Sequence, residues 1–153
     1  MAKKSRENAK RVDIVSIKMV KDSSIKYANR QIGSPFDAFI LVKDLLEGCD
    51  REKLLAICLD TKNQPSNISV VSVGSVNASI VHPREVFKTA ILSNSSKIML
   101  AHNHPSQILK PSSEDKLITK RIQDAGEILG IELLDHLIVG DNKYFSFKEN
   151  CIL

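Results

Sequence analysis

"KIMLAHNHPSQILKPSSEDKLITKRIQDAGEILG", residues 97–130, sets a short apolar run against a long amphipathic one. "KIMLA" (97–101) reads as a strand that ends at two histidines. "SSEDKLITKRIQDAGEILG" (112–130) keeps a 3.6-residue period through Leu117, Ile118, Ile122, Ala125 and Leu129, with Gly130 as its stop. In a strand, residues i and i+2 face the same side. If the extended path runs on through the histidines, His102 and His104 face together and Asn103 faces away. Two such imidazoles can reach one zinc at about 2.0–2.1 Å each. Asp115, in the first turn of the following helix, supplies the third protein ligand that a catalytic zinc needs. The same Ser-x-x-Asp is also close to a capping box, in which Ser112 caps the helix and Asp115 serves its amides and dipole.

Outward from this segment, strands and helices are mixed without a regular βαβα alternation. "VDIVSIKMV" (12–20) alternates like a strand, with "SSIKY" (23–27) as a short partner. "GSPFDAFILVKDLLEG" (33–48) is a punctuated helix: Ser34 at the N-cap, Pro35 at the first position, Gly48 at the stop. Ala38, Leu41, Val42 and Leu45 form its apolar stripe. "KLLAICLD" (53–60) is a buried strand and "ISVVSVGS" (68–75) the strand returning from it. "HPREVFKTAILSNS" (82–95) is a helix opened by Pro83, with Val86, Phe87, Ala90 and Ile91 on one face. "IELLDHLIVG" (131–140) and "KYFSF" (143–147) make a closing hairpin. The fold class is α/β of the mixed α+β kind, arranged as helix–sheet–helix in three layers around a mixed sheet.

The chain of 153 residues is long enough for one domain with a core of its own, over residues 12–153. Its formal charge of +4 is mild. Residues 2–11 carry five of the basic residues against one acid and read as a solvated, disordered arm rather than a nucleic-acid contact. Cys49, Cys58 and Cys151 are odd in number and far apart, which points to free thiols in a reducing compartment. No apolar run approaches the roughly 20 residues of a membrane span, and no secretory leader is evident. The expected location is the cytoplasm, with no membrane partner.

A metal-activated water needs a base. Glu52, at the mouth of a buried strand, and Glu85, in a first helical turn where the dipole already explains an acid, are the two candidates. His82 and His136 read as structural, and Asp135 or His136 as a support to the site if their strand runs beside it.

His102-Asn103-His104-Pro105, then Ser112-x-x-Asp115, resembles the metal motif of the JAB/MPN (JAMM) metalloproteases. "REKLLAICLDTKN", "VGSVNASIVHPREVFKTAILSNSSKIMLAHNHPS" and "LGIELLDHLIVGDNKYFSF" extend the likeness to the bacterial RadC family over most of residues 34–148. The resemblance implies a cytidine-deaminase-like sheet carrying one Zn2+ on His102, His104 and Asp115. It implies Glu52 rather than Glu85 as the base, and Ser112 as a donor to the oxyanion. The implied activity is hydrolysis of a peptide or isopeptide bond in a peptide or protein substrate. The rivals are a DNA-associated accessory protein, which RadC naming suggests, and a non-catalytic scaffold. Two departures stand out. The loop reads "PSQILKPS" (105–112) where RadC proteins usually carry "PSGDPTPS", and the chain is too short for the helix-hairpin-helix region many of them have.

Overall fold

The computed structural model describes residues 10–76 and 81–153. The basic arm therefore falls outside the described residues, apart from Lys10 and Arg11. Eight elements follow in order: α1 (Pro35–Leu46), β1 (Glu52–Leu59), β2 (Pro65–Gly74), α2 (Pro83–Leu92), β3 (Lys97–Asn103), α3 (Ser113–Leu129), β4 (Glu132–Gly140) and β5 (Lys143–Ser146). The strands form one mixed sheet in the order β2-β1-β3-β4-β5. Only β3 and β4 run parallel, joined by the crossover helix α3; the other pairs are antiparallel.

Strand alternation divides the core in two. Leu54, Ala56 and Cys58 of β1 join Ile98 and Leu100 of β3 on one face, covered by Val86, Phe87 and Ala90 of α2 and Ile118 and Ile122 of α3. Leu55, Ile57, Leu59, Met99, Ala101, Leu137 and Val139 occupy the other, under Ala38, Phe39, Leu41 and Val42 of α1. Buried on both faces, β1 and β3 are nearly continuous apolar runs, as such strands must be. The helix–sheet–helix arrangement and the mixed sheet are those of a JAB/MPN-like fold.

Both punctuated helices start as their sequences indicate. Ser34 and Asp37 form a reciprocal capping box at α1, with Pro35 in the first turn. Helix α3 closes at Gly130 (φ +70°), with Gly130 and Ile131 amides returning to Glu127 and Gly126 carbonyls.

Three expectations are corrected. Residues 12–20 and 23–27 form no strand; Val12, Ile14, Val15 and Ile17 are exposed and unpaired. Their alternation has no sheet edge beside it in the described residues. In α2, Ile91 is exposed while Val86, Phe87 and Ala90 face inward. In α3, Leu117 and Leu129 are exposed, and the buried stripe is Asp115, Ile118, Thr119, Ile122 and Gly126. The inward face of α3 carries polar residues because it leads into the site. Cys58 is a core residue as expected, and all three cysteines are free. No helix among the described residues is long and apolar enough to cross a membrane.

Candidate metal centre

The parallel β3–α3–β4 crossover determines where the site forms. It returns the start of α3 to the C-terminal end of β3, where Asp115 meets the histidines. Open α/β sheets place ligands at such carboxyl strand ends. β1 runs antiparallel to β3 with Leu54 opposite His102. Glu52, two residues before Leu54, therefore shares the face of His102 and His104 and stands at the same end of the sheet.

The three predicted ligands converge. His102 Nε2 lies 3.0 Å from His104 Nε2 and 3.1 Å from Asp115 Oδ1, and His104 Nε2 lies 3.4 Å from Asp115 Oδ2. His102 and Asp115 are buried and His104 is nearly so. Two atoms each about 2.0–2.1 Å from one tetrahedral zinc stand roughly 3.3–3.4 Å apart. The two nitrogens and the Asp115 carboxylate, each nitrogen facing a different carboxylate oxygen, stand within a few tenths of an ångström of that spacing.

Hydrogen bonds on the far side of each ring decide which nitrogen faces the triangle. His104 Nδ1 meets the Ile108 carbonyl at 2.6 Å, so it carries the proton and Nε2 presents a lone pair. For His102 the logic runs through a chain. Thr119 Oγ1 donates to the Asp115 carbonyl at 2.6 Å. Its one proton is thereby committed, so at 2.7 Å it accepts from His136 Nδ1–H. His136 Nε2 is then an acceptor and takes His102 Nδ1–H at 2.8 Å. His102 Nε2 is left with a lone pair. Two lone pairs and a carboxylate thus face one another, an arrangement that repels itself unless a cation holds it together. His102, His104 and Asp115 form a group that can bind a metal ion.

The electrostatics agree. Burial opposes ionisation of Asp115, but the adjacent His102 and His104 rings, whenever a proton sits on the nitrogens that face it, outweigh burial and hold the carboxyl far below its ordinary range. His104 is raised above its ordinary value, first by its bond to Asp115, with the Ile108 carbonyl and the charges of Asp115 and Glu52 adding and burial opposing. His136, wholly buried and beside His102, is pushed well below its ordinary value and stays neutral, as an acceptor must.

Ser112 is the N-cap of α3. Its Oγ accepts from the Asp115 amide at 3.1 Å and donates to Asp115 Oδ2 at 2.7 Å, while its own amide donates to Oδ2 at 2.7 Å. The reciprocal capping box and the candidate metal ligand are therefore one carboxylate. Glu52 is partly buried, and its Oε2 accepts from the Val76 amide at 2.8 Å, which orients the group. Asn103 faces away from the histidines, as the strand period requires. Its amide bonds both neighbours of Glu52: Lys53 N–H to Oδ1 at 2.8 Å and Nδ2–H to the Arg51 carbonyl at 2.9 Å. Glu85 is elsewhere, exposed on α2 and paired with Lys88 at 2.8 Å. His82 is the N-cap residue of α2 and makes no side-chain cap bond.

Of the two supports considered for the site, His136 is one and Asp135 is not. Asp135 instead ties β4 to β5, accepting from Ser146 Oγ at 2.6 Å and the Lys148 amide at 3.0 Å. The sequence does not show the role of Thr119, or the bonds by which Asn103 holds the strand beside it. A threonine four residues after a ligand on the same helix face is the signal that could have flagged Thr119.

The RadC-like JAB domain family matches residues 32–152. A UPF0758 protein of Desulfitobacterium hafniense is 54% identical over 122 residues, covering 80% of this chain and 54% of that protein. A UPF0758 protein of Methanosarcina barkeri is 43% identical over 128 residues, covering 84% and 56%. One of Clostridioides difficile is 47% identical over 131 residues, covering 86% and 56%. The chain spans about half the length of these relatives. It belongs to the RadC-like JAB domain family.

Proposed function

We propose that this member of the RadC-like JAB family is a zinc-dependent hydrolase of the JAMM type that cleaves a peptide or isopeptide bond in a protein substrate. The observation that carries the proposal is the convergence of His102 Nε2, His104 Nε2 and the Asp115 carboxylate, with both tautomers fixed by their outer hydrogen bonds, on the sheet face shared with Glu52. A zinc ion held there would supply a Lewis acid to polarise a scissile carbonyl and acidify a water.

The remaining work falls to side chains of this chain. Glu52 stands at the first position of β1, its carboxylate oriented by the Val76 amide at Oε2. Its Oε1 takes the proton of the attacking water and later delivers it to the leaving amine. Asn103 holds the backbone on both sides of Glu52, which fixes the base against the end of β3. Ser112 has one hydroxyl proton, given to Asp115 Oδ2 in the resting arrangement. To donate to an oxyanion the hydroxyl turns away from Asp115, whose Oδ2 keeps the Ser112 amide as a donor.

The test combines metal analysis of the purified protein with an unbiased search for cleaved proteins. About one zinc per chain is expected, lost in His102→Ala with the fold kept. Glu52→Gln should keep its zinc and abolish cleavage, and Glu85→Gln should change neither. A Glu52→Gln protein that cleaves at the normal rate would overturn the assignment of the base. Salt-dependent DNA binding without any cleaved substrate would favour an accessory role instead.

A further inference from the structure

One ligand, His104, is oriented by a loop rather than by the core. Its Nδ1–H is received by the carbonyl of Ile108, four residues on, in a loop largely open to solvent. The loop begins with a turn in which the Gln107 amide returns to the His104 carbonyl at 2.9 Å. Gln107 itself has φ +63°, a left-handed backbone unfavourable to a residue with a side chain. Something must hold it there, and its side chain does. Gln107 Oε1 accepts from the Asp141 amide at 2.8 Å, in the turn between β4 and β5.

That turn is built to receive the loop. A Cβ on Gly140 would stand 3.0 Å from Gln107 Oε1 and 3.0 Å from Leu109 Cδ2, so the glycine admits the contact. Asn142, which follows Asp141 in the turn, is itself anchored to α1. Its amide donates to Glu47 Oε1 at 2.8 Å, and its Oδ1 accepts from Lys43 Nζ at 2.5 Å. A continuous set of bonds therefore runs from the end of α1, through the hairpin turn and Gln107, to the carbonyl beneath His104.

We propose that Gln107 is a positioning residue: by clamping the 105–112 loop to the β4–β5 turn it keeps the Ile108 carbonyl on His104 Nδ1 and sets how tightly the site holds its metal. The proposal rests on the metal-centre reading above. It makes the hairpin turn, which touches none of the three ligands, a determinant of metal affinity. Outer partners of metal-bound histidines typically contribute about 10–100-fold in affinity.

Gln107→Met keeps the size of the side chain and removes the acceptor. Gly140→Ala pushes at the same contact from the other side. Zinc affinity is measured by competition with a chromophoric chelator, and the ring 15N shifts of His102 and His104 are recorded in the metal-free protein. Both variants should bind zinc at least about tenfold more weakly, and His104 should lose its fixed Nδ1–H tautomer while His102 keeps its own. Unchanged affinity with unchanged His104 shifts in Gln107→Met would overturn the proposal. So would a loss of affinity that leaves the His104 ring as it was. If the unaltered protein takes up no zinc, the metal-centre reading fails separately. The ring spectrum then still decides whether Gln107 orients His104.

Discussion

Replacing Thr119 with valine removes one hydroxyl from the middle of the proton chain and leaves its shape in place. His136 Nδ1–H then loses the acceptor it meets at 2.7 Å, within a ring that has no exposed surface. An unpaired buried donor costs about 1–3 kcal/mol. For a domain of this size each kcal/mol moves Tm by roughly 2–4 °C, so the metal-free variant should melt about 2–12 °C lower. His136 can escape part of that cost by carrying its proton on Nε2. That proton then faces His102 Nδ1–H across 2.8 Å, and His102 must move its own proton to Nε2, into the ligand triangle. Zinc would have to displace it, so affinity should fall by about 10–100-fold. Thr119→Ser keeps the hydroxyl and should lose only the packing of one methyl, about 1 kcal/mol, with affinity retained. Thermal unfolding of the metal-free proteins and chelator competition for zinc read the two effects separately. A Thr119→Val protein that melts within about 1 °C of the original and binds zinc equally well would refute the chain of donors assigned here.

Other outcomes follow from the same geometry. Ser112→Ala should cost about 0.5–2 kcal/mol as a lost cap, seen by denaturant unfolding, and should lower turnover by about 10²–10³ if the hydroxyl serves the oxyanion. Ser112→Asp sets a second carboxylate beside Asp115 Oδ2, where the serine hydroxyl donates at 2.7 Å, and should be inactive; near-normal turnover would reduce the serine to a cap. A Cβ on Gly126 would lie 2.4 Å from the Ile131 carbonyl oxygen, so Gly126→Ala should destabilise by about 1–3 kcal/mol despite its better helix propensity, measured by urea unfolding. Burial raises the Asp135 carboxyl above its ordinary 3.8, with hydrogen bonds from Ser146, Lys148 and His136 opposing. The folded state then holds that proton more tightly than the unfolded chain, and the stability this contributes is lost as pH rises through the folded value. The stability of Asp135→Asn minus that of the original should therefore grow as pH rises above the ordinary carboxyl value of 3.8; a flat or falling difference would contradict the assignment.

Much of the site could be read along the chain because local periodicity produces it. His102 and His104 share a face by the strand repeat, and Ser-x-x-Asp marks a helix start whether or not a metal is present. The elements with strong punctuation, α1 and α3, appear where Ser34, Pro35, Ser112 and Gly130 place them. Misreadings arose where a one-dimensional pattern lacked its three-dimensional partner. Residues 12–20 alternate, but a strand also requires a neighbour. In α3 the apolar count favoured Leu117 and Leu129, because the true inward face holds Asp115 and Thr119 and hydrophobicity ignores polar residues that are buried for their bonds. Thr119 acquires meaning only through His136, which comes from another strand by way of the parallel register of β3 and β4. The strand repeat puts Asn103 on the side away from the histidines, but its grip on Arg51 and Lys53 depends on antiparallel pairing with a strand about fifty residues earlier.

Asp115 closes the first turn of α3 and also completes the ligand triangle, so the two events cannot occur independently. When that turn frays, the carboxylate leaves the histidines with it. If the group holds a metal as proposed, its release is a matter of helix-end dynamics, and its off-rate should follow the opening rate of the turn rather than the strength of the ligand bonds alone. Metal loading should in turn slow hydrogen exchange at the amides of the first turn of α3 more than anywhere else on that helix.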